Sequence, residues 1–182
     1  MIQAPRTLIT NRLILRRLLL SDAEAVFEYG SNPEVTRYMV WRNHTAIQDA
    51  VAFLEQCTCS WNTGKEFCWA ITVKPEDQAV GTISCRIEQS EADFGYVLNR
   101  KYWGQGYATE AVHSVMSWLM NLPDVDRIWA TCDIDNRASA RVLEKSGLQY
   151  EKTVPRAIIR PNLALTPRDT LVFSWERAEG LW

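Results

Sequence analysis

The sequence predicts a mixed α/β domain, with one central, mostly antiparallel sheet, helices on its faces and a parallel crossover near its middle. Three observations carry this. Strand-length apolar runs and segments of helical periodicity follow one another in the order β, α, α, three β, α, β, α, two β. In the middle of that order a strand, a helix and a strand are consecutive, which requires a crossover and therefore a parallel pair. The chain has 182 residues, 47% apolar and 23% charged, enough for one ordinary globular core. With no repeat, low-complexity tract or linker, residues 1–182 read as a single domain.

The first strand is expected over Thr10–Arg17, around Leu13-Ile14-Leu15. Ser21-Asp22-Ala23-Glu24 has the capping-box pattern of a helix start, and Gly30 stands where that helix would close. Asn32-Pro33-Glu34 opens a short second helix with proline at its first position. Thr45 with Gln48 is a second capping box, followed by Ile47, Ala50, Val51, Leu54 and Cys57 at helical spacing up to Gly64. Phe67–Val73 and Ala79–Ile87 are rich in β-formers and flank a turn at Lys74–Gln78. Phe94–Leu98 is the next strand. After it, Ala111, Val112, Val115, Met116 and Leu119 form one apolar stripe of a helix that Asn121-Leu122-Pro123 stops. Arg127–Asp133 is a strand, and Asp135-Asn136 starts a helix that runs to Gly147. Leu148–Val154 and Thr170–Trp175 are expected to close the sheet around a proline-containing connection, Pro155–Pro167.

A net charge of −2 gives no field for a polyanion, which argues against a nucleic-acid partner. Leu18-Leu19-Leu20 is too short for a signal sequence and no run is long enough to span a membrane, so a cytoplasmic protein is expected. Cys57, Cys59, Cys68, Cys85 and Cys132 form no C-x-x-C pair and lie in apolar segments, as reduced core thiols do. With only His44 and His113 present, no histidine-rich metal site is expected. Eight tryptophans, Trp182 among them, make a homodimer interface conceivable.

The chemistry concentrates in Tyr102-Trp103-Gly104-Gln105-Gly106-Tyr107-Ala108-Thr109-Glu110-Ala111, between a strand and a helix. Glycines there let the backbone approach a ligand, and the first helical turn offers unpaired amides at the positive end of the macrodipole. That combination makes a phosphate cradle. A P-loop would need Lys-Ser/Thr after the second glycine, and a dinucleotide fingerprint would need a third small residue where Thr109 stands. A tight turn with no ligand is the remaining alternative.

The stretch resembles the acetyl-CoA pyrophosphate loop of the GNAT superfamily of N-acetyltransferases. The longer run from Gly95-Tyr96-Val97-Leu98 through Ala111 looks like its RimJ/RimL-type branch. Asn136-Arg137-Ala138-Ser139-Ala140-Arg141-Val142-Leu143-Glu144-Lys145-Ser146-Gly147-Leu148 matches downstream, as do Thr10–Arg16 and Pro167-Arg168-Asp169, so the likeness covers nearly the whole chain. Trp103, Gln105 and Leu148 depart from the general pattern, and without a basic residue at 105 the backbone must do most of the phosphate binding.

The resemblance implies a GNAT-like twisted sheet whose parallel pair, Phe94–Leu98 and Arg127–Asp133, splays around acetyl-CoA as cosubstrate, with no metal. It implies direct transfer of acetyl to a primary amine, either a protein N-terminus or a small molecule, in a ternary complex. Tyr96, Val97, Leu98, Trp103, Gly104, Gln105, Gly106, Tyr107, Ala108, Thr109, Asn136 and Ser139 would contact the donor. The Val97 amide, freed by a bulge at Gly95, would face the oxyanion, or the Tyr96 and Val97 amides would simply complete the sheet ladder. Ser139 matches the position credited with protonating the leaving thiolate, and is equally placed to be a local cap. Asn136 would orient the donor or simply cap its helix. Asp93 would take the amine's proton through a water, or be a solvated strand-end charge. Glu110 is given no catalytic work, and His113 is expected on the surface. Trp41, Trp61, Trp69 and Tyr38 would wall an acceptor pocket or pack the core. A non-catalytic acetyl-CoA-binding sensor is the alternative function.

Overall fold

In the computed structural model, which describes residues 2–178, strands β1 (Thr7–Ile9) and β2 (Leu13–Arg17) lead into helices α1 (Ala23–Gly30), α2 (Pro33–Thr36) and α3 (Ile47–Thr63). The strands β3 (Phe67–Val73), β4 (Ala79–Glu88) and β5 (Glu91–Leu98) follow, then α4 (Tyr107–Met120), β6 (Arg127–Asp133) and α5 (Arg137–Lys145). A long hairpin, β7 (Gln149–Arg160) and β8 (Ala164–Glu176), ends the described chain. The eight strands form one sheet in the order β1-β2-β3-β4-β5-β6-β8-β7, and only β5 and β6 run parallel. The expected mixed α/β fold is the observed one.

Side-chain alternation divides the core. Phe67, Trp69 and Ile71 of β3 join one apolar cluster with the α4 stripe, Ala111, Val112, Val115, Met116 and Leu119. Cys68 and Ala70 point the other way, into a second cluster with Val26 and Tyr29 of α1 and Ala50, Leu54 and Cys57 of α3. Helices thus cover both faces of the central strands. This explains why β3 reads as a continuous apolar run instead of an alternating one.

Several local expectations change. The Thr10–Arg17 strand is interrupted at Thr10–Arg12, where the Thr10 hydroxyl accepts from the Leu13 amide at 2.8 Å and turns β1 into β2. The chain enters α1 through a single turn of 3-10 helix closed by Asp22, whose carboxylate accepts from the Leu19 amide at 2.8 Å, so Ser21 and Glu24 form no capping box. At α3 the reciprocal acid is Asp49 rather than Gln48: it accepts from the Thr45 and Ala46 amides at 2.7 and 3.1 Å. Gly30 is not a left-handed cap. It is the last residue of α1, and a Cβ there would lie 2.5 Å from His44 Nδ1. The Pro155–Pro167 connection is β-structure apart from the turn at residues 161–163. Pro155 falls in a register break of the edge strand β7, and Pro167 lies beyond the end of β6's pairing with β8, so neither proline removes a needed hydrogen bond. Four cysteines are buried as expected, but Cys59 is exposed on α3. Trp182 lies outside the described residues. No helix among the described residues is long and apolar enough to cross a membrane.

Candidate active site

The parallel pair is joined only over its first residues, Glu91–Asp93 against Arg127–Trp129. Beyond Asp93 the two strands part, and the gap opens into a cavity of about 980 Å³. It passes between the two faces of the sheet. Tyr96 packs against the α4-side cluster, Val97 belongs to the α1/α3-side cluster, and both line the cavity. Asp93, Gly95, Asn136 and Ser139 line it as well.

The register between β4 and β5 is unbroken from Glu88↔Glu91 to Gly81↔Leu98, so there is no bulge at Gly95. The divergence of β6 exposes the strand edge instead. Just past the strand, the Asn99 amide donates to the Val80 carbonyl at 2.8 Å. Backbone groups that face one neighbour belong to every second residue of a strand. Counting back, Val97 and Gly95 turn their amides to β4, while Phe94, Tyr96 and Leu98 turn theirs to the gap. Val97 is therefore not the free amide; Tyr96 is the residue that presents one.

Across the gap the Tyr96 hydroxyl lies 3.0 Å from Ser139 Oγ, a bond between β5 and the first turn of α5. Burial raises the Tyr96 phenol above its ordinary range, and the bond to Ser139 offsets part of that rise. Asn136 caps α5: its Oδ1 accepts from the Ser139 amide at 3.1 Å, which fixes the serine's place in the first turn. Asp93 is gripped by Arg86 of β4, at 2.6 Å between Nη2 and Oδ2.

The glycine loop lies at one end of this gap. Gly104 and Gly106 have φ of +75° and +81°, a region that only glycine enters freely, and Gly106 is the N-cap of α4. The turn aims the unpaired amides of Tyr107, Ala108 and Thr109 outward. Trp103 is 40% exposed and its indole donates to the Leu98 carbonyl at 2.6 Å, so it ties loop to strand. The Gln105 side chain turns back to the Lys101 carbonyl at 3.2 Å. The loop residues 103–109 and Leu98 do not line the cavity itself.

One neighbour of the loop comes from the far end of the sequence. Arg12, in the β1–β2 turn, donates to the Gln105 carbonyl at 2.9 Å and stacks over the Tyr107 ring at 4.6 Å. It is paired with Glu110 at 2.7 Å, and Glu110 also accepts from the Thr10 hydroxyl at 2.6 Å. Burial alone would raise the Glu110 carboxyl; the hydrogen bonds from Thr10 and Arg12 outweigh it and hold the carboxyl below its ordinary range. Glu110 and Arg12 are nearly a hundred positions apart in sequence, so no local pattern announces the pair.

The cavity's other end is built by the segment after α2 and by the β7–β8 hairpin. Asn162 at the hairpin tip donates to the Thr36 and Trp41 carbonyls, both at 2.8 Å, and accepts from the Asn43 amide at 3.1 Å. Tyr38 and Trp41 do line the cavity. Trp61 and Trp69 do not; with Phe67 and Trp118 they form an edge-to-face cluster in the core. Arg160 also lines this end, only 5% exposed. Burial lowers its guanidinium from its ordinary range, and Asp133 pulls it back up. Burial likewise raises the Cys132 thiol, to about 11. His113 is exposed, as expected, with Nε2 at 3.0 Å from the Lys145 carbonyl. Among the described residues no group of acids, cysteines and histidines is placed to hold a metal.

The profile of the acetyltransferase (GNAT) domain matches residues 12–149. An uncharacterized N-acetyltransferase of Bacillus subtilis, YoaA, is 32% identical over 168 residues, 91% of this chain and 93% of that protein. A GNAT-family acetyltransferase from Bacillus anthracis superposes with a TM-score of 0.82 at 26% identity, covering 93% of this chain and 98% of that one. RimL, a ribosomal-protein alpha-N-acetyltransferase solved with coenzyme A, superposes with a TM-score of 0.83 at 19% identity, over 93% and 97% of the two chains. A split sheet with a glycine-turned helix at its mouth, found in a sequence that the profile covers across most of its length, places the chain in the GNAT acetyltransferase family.

Proposed function

We propose that the protein is an acetyl-CoA-dependent N-acetyltransferase of RimJ/RimL type, a cytoplasmic enzyme that acetylates a primary amine by direct attack in a ternary complex. The observation that carries this reading is the opened β5–β6 pair with the Tyr96–Ser139 hydroxyl pair spanning it. The glycine loop and the first turn of α4 would hold the pyrophosphate on the amides from Gly104 to Thr109, by dipole and backbone rather than by a basic side chain. The pantetheine would run along the open edge of β5 and add hydrogen bonds to Tyr96 and Leu98, as an extra strand does.

The acceptor nitrogen then attacks the thioester carbon, forming the C–N bond, and negative charge gathers on the former carbonyl oxygen. The Tyr96 amide faces the gap and takes the oxyanion role in place of Val97. As the C–S bond breaks, the thiolate takes the Ser139 proton and Tyr96 replaces it through their 3.0 Å bond. A thiol's ordinary pKa near 8.5 makes the thiolate a good leaving group that needs only this modest help, and the proton released by the amine returns to Tyr96 through solvent. Asp93 takes the proton released by the amine through a water, held in place by Arg86. Asn136 acts by seating Ser139, its cap bond being the observed one.

Acetyl-CoA at about 100 times its Kd should stabilise the chain by about 2.7 kcal/mol in thermal melts. Mass spectrometry of a mixed panel of peptides, amino acids and aminoglycosides would then show an acetylated amine together with release of free thiol. Absence of stabilisation would sink the donor assignment. Stabilisation with no acetylated product would support the non-catalytic acetyl-CoA sensor.

A further inference from the structure

The guanidinium of Arg160 is buried, yet among the described residues its Nε and Nη2 have no hydrogen-bond partner. These two atoms form the side-on fork of arginine, whose spacing matches the two oxygens of a carboxylate or phosphate. The chain uses the same fork elsewhere: Arg168 presents Nε and Nη2 to Asp133 at 2.7 and 3.0 Å. Asp133 is the acid that attracts Arg160, but its oxygens are already committed to Arg168 and to the Asp135 amide. Of the other two arginines that line the cavity, Arg86 is bound to Asp93 and Arg42 is exposed on the segment after α2. Leaving a buried charged donor unpaired is costly, so a sequence that keeps one keeps it for a partner outside the chain.

Its position is fixed. Arg160 is the last residue of β7, two before Asn162, whose three hydrogen bonds fasten the hairpin tip to residues 36–43. Arg160 therefore belongs to the cavity wall shared with Trp41 and Asp133, with its Nε and Nη2 covered in the free protein, away from the glycine loop, whose residues do not line the cavity.

We infer that Arg160 recognises an anionic group on the acetyl acceptor, so that the substrate is an amine carrying a carboxylate or phosphate. This rests on the acetyl-transfer reading for the word acceptor; the anion site itself does not need transfer to be tested.

Two matched pairs probe it by calorimetric titration, with and without CoA: glycine against glycinamide, and phosphoethanolamine against ethanolamine. In at least one pair the anionic member should bind the wild-type chain about tenfold tighter or more, and that pair identifies the anion. Arg160→Gln should erase the preference while leaving the neutral member unchanged, and Arg160→Lys should keep part of it. Arg160→Met should raise the melting temperature of the free protein, since it removes an unpaired buried charge. No preference in either pair, equal weakening of both members by Arg160→Gln, or a lower melting temperature for Arg160→Met would each overturn the assignment. Anion-selective binding without thiol release would keep the site and sink the transfer reading. Thiol release to neutral amines, untouched by Arg160→Gln, would do the reverse.

Discussion

At the glycine-loop end of the gap the cations have partners within the chain: Arg12 holds Glu110, Arg100 holds Glu34 and Lys101 holds Glu28. At the hairpin end the buried Arg160 fork and His44 Nδ1 have none among the described residues. The first end presents backbone, since its glycines and the start of α4 make the surface and its side chains fold back to brace it. The second end presents side chains, on a wall that includes residues 38–45 and Arg160. A surface made of amides suits a ligand part that does not vary, and one made of side chains suits the part that must be told from competitors.

The most damaging change should fall between the two ends. Tyr96→Phe and Ser139→Ala each remove one hydroxyl of the 3.0 Å pair, and each should lower kcat about 10²-fold while acetyl-CoA stabilisation holds. Steady-state rates beside thermal shifts decide this. Full turnover in both variants would strip the pair of any role in protonating the thiolate.

Breaking the hairpin end alone should come next. Asn162→Ala deletes the three hydrogen bonds that join the hairpin tip to residues 36–43. At roughly 0.5–1.5 kcal/mol each it should cost about 2 kcal/mol of stability. Its KM for the acceptor should rise while acetyl-CoA affinity is unchanged. A loss of donor binding instead would show that the two ends are not independent.

The same contrast explains what the sequence made legible. Strand and helix periods gave the sheet and its helices, because burying Phe67, Trp69 and Ile71 against one cluster and Cys68 and Ala70 against another leaves no freedom of register. The glycine loop was legible because a left-handed turn restricts which residues can stand at 104 and 106. Arg160, Asn162 and the Arg12–Glu110 pair were not. Asn162 and the Arg12–Glu110 pair work through partners distant in the chain, and the Arg160 fork has none among the described residues, so nothing in the neighbouring residues encodes their roles. Ser139 was found without Tyr96's hydroxyl, because their meeting depends on how far β6 leans from β5. The 155–167 stretch misled because its prolines suggest a loop, and only an edge strand and the part of β8 that lies past β6 can admit them.

A smaller effect tests the loop end by itself. Gly106→Ala puts a Cβ at φ +81°, 3.4 Å from Arg12 Nη2, and the left-handed backbone costs an ordinary residue about 1–2 kcal/mol. Relaxing that strain would turn the α4 amides, so acetyl-CoA affinity should fall about tenfold, read as a smaller thermal shift. Selectivity among acceptors should not move.

The smallest change concerns the brace behind the loop, and its sign follows from Glu110. The folded carboxyl titrates below the unfolded one, whose ordinary value is near 4.3. Its contribution is therefore complete above that value and fades as pH falls through the lower folded one. Glu110→Gln should be less stable than wild type by about 1 kcal/mol in urea melts at about pH 7, and the gap should narrow at about pH 3. A gap that widens on acidification would mean that Glu110 is not held ionised by Thr10 and Arg12. The same variant frees the Arg12 guanidinium beside Gly106 from its counter-charge, so acetyl-CoA binding should hold or tighten. If binding weakens instead, Glu110 is shaping the amide cradle through the β1–β2 turn, and the loop end depends on its side chains as much as the hairpin end does.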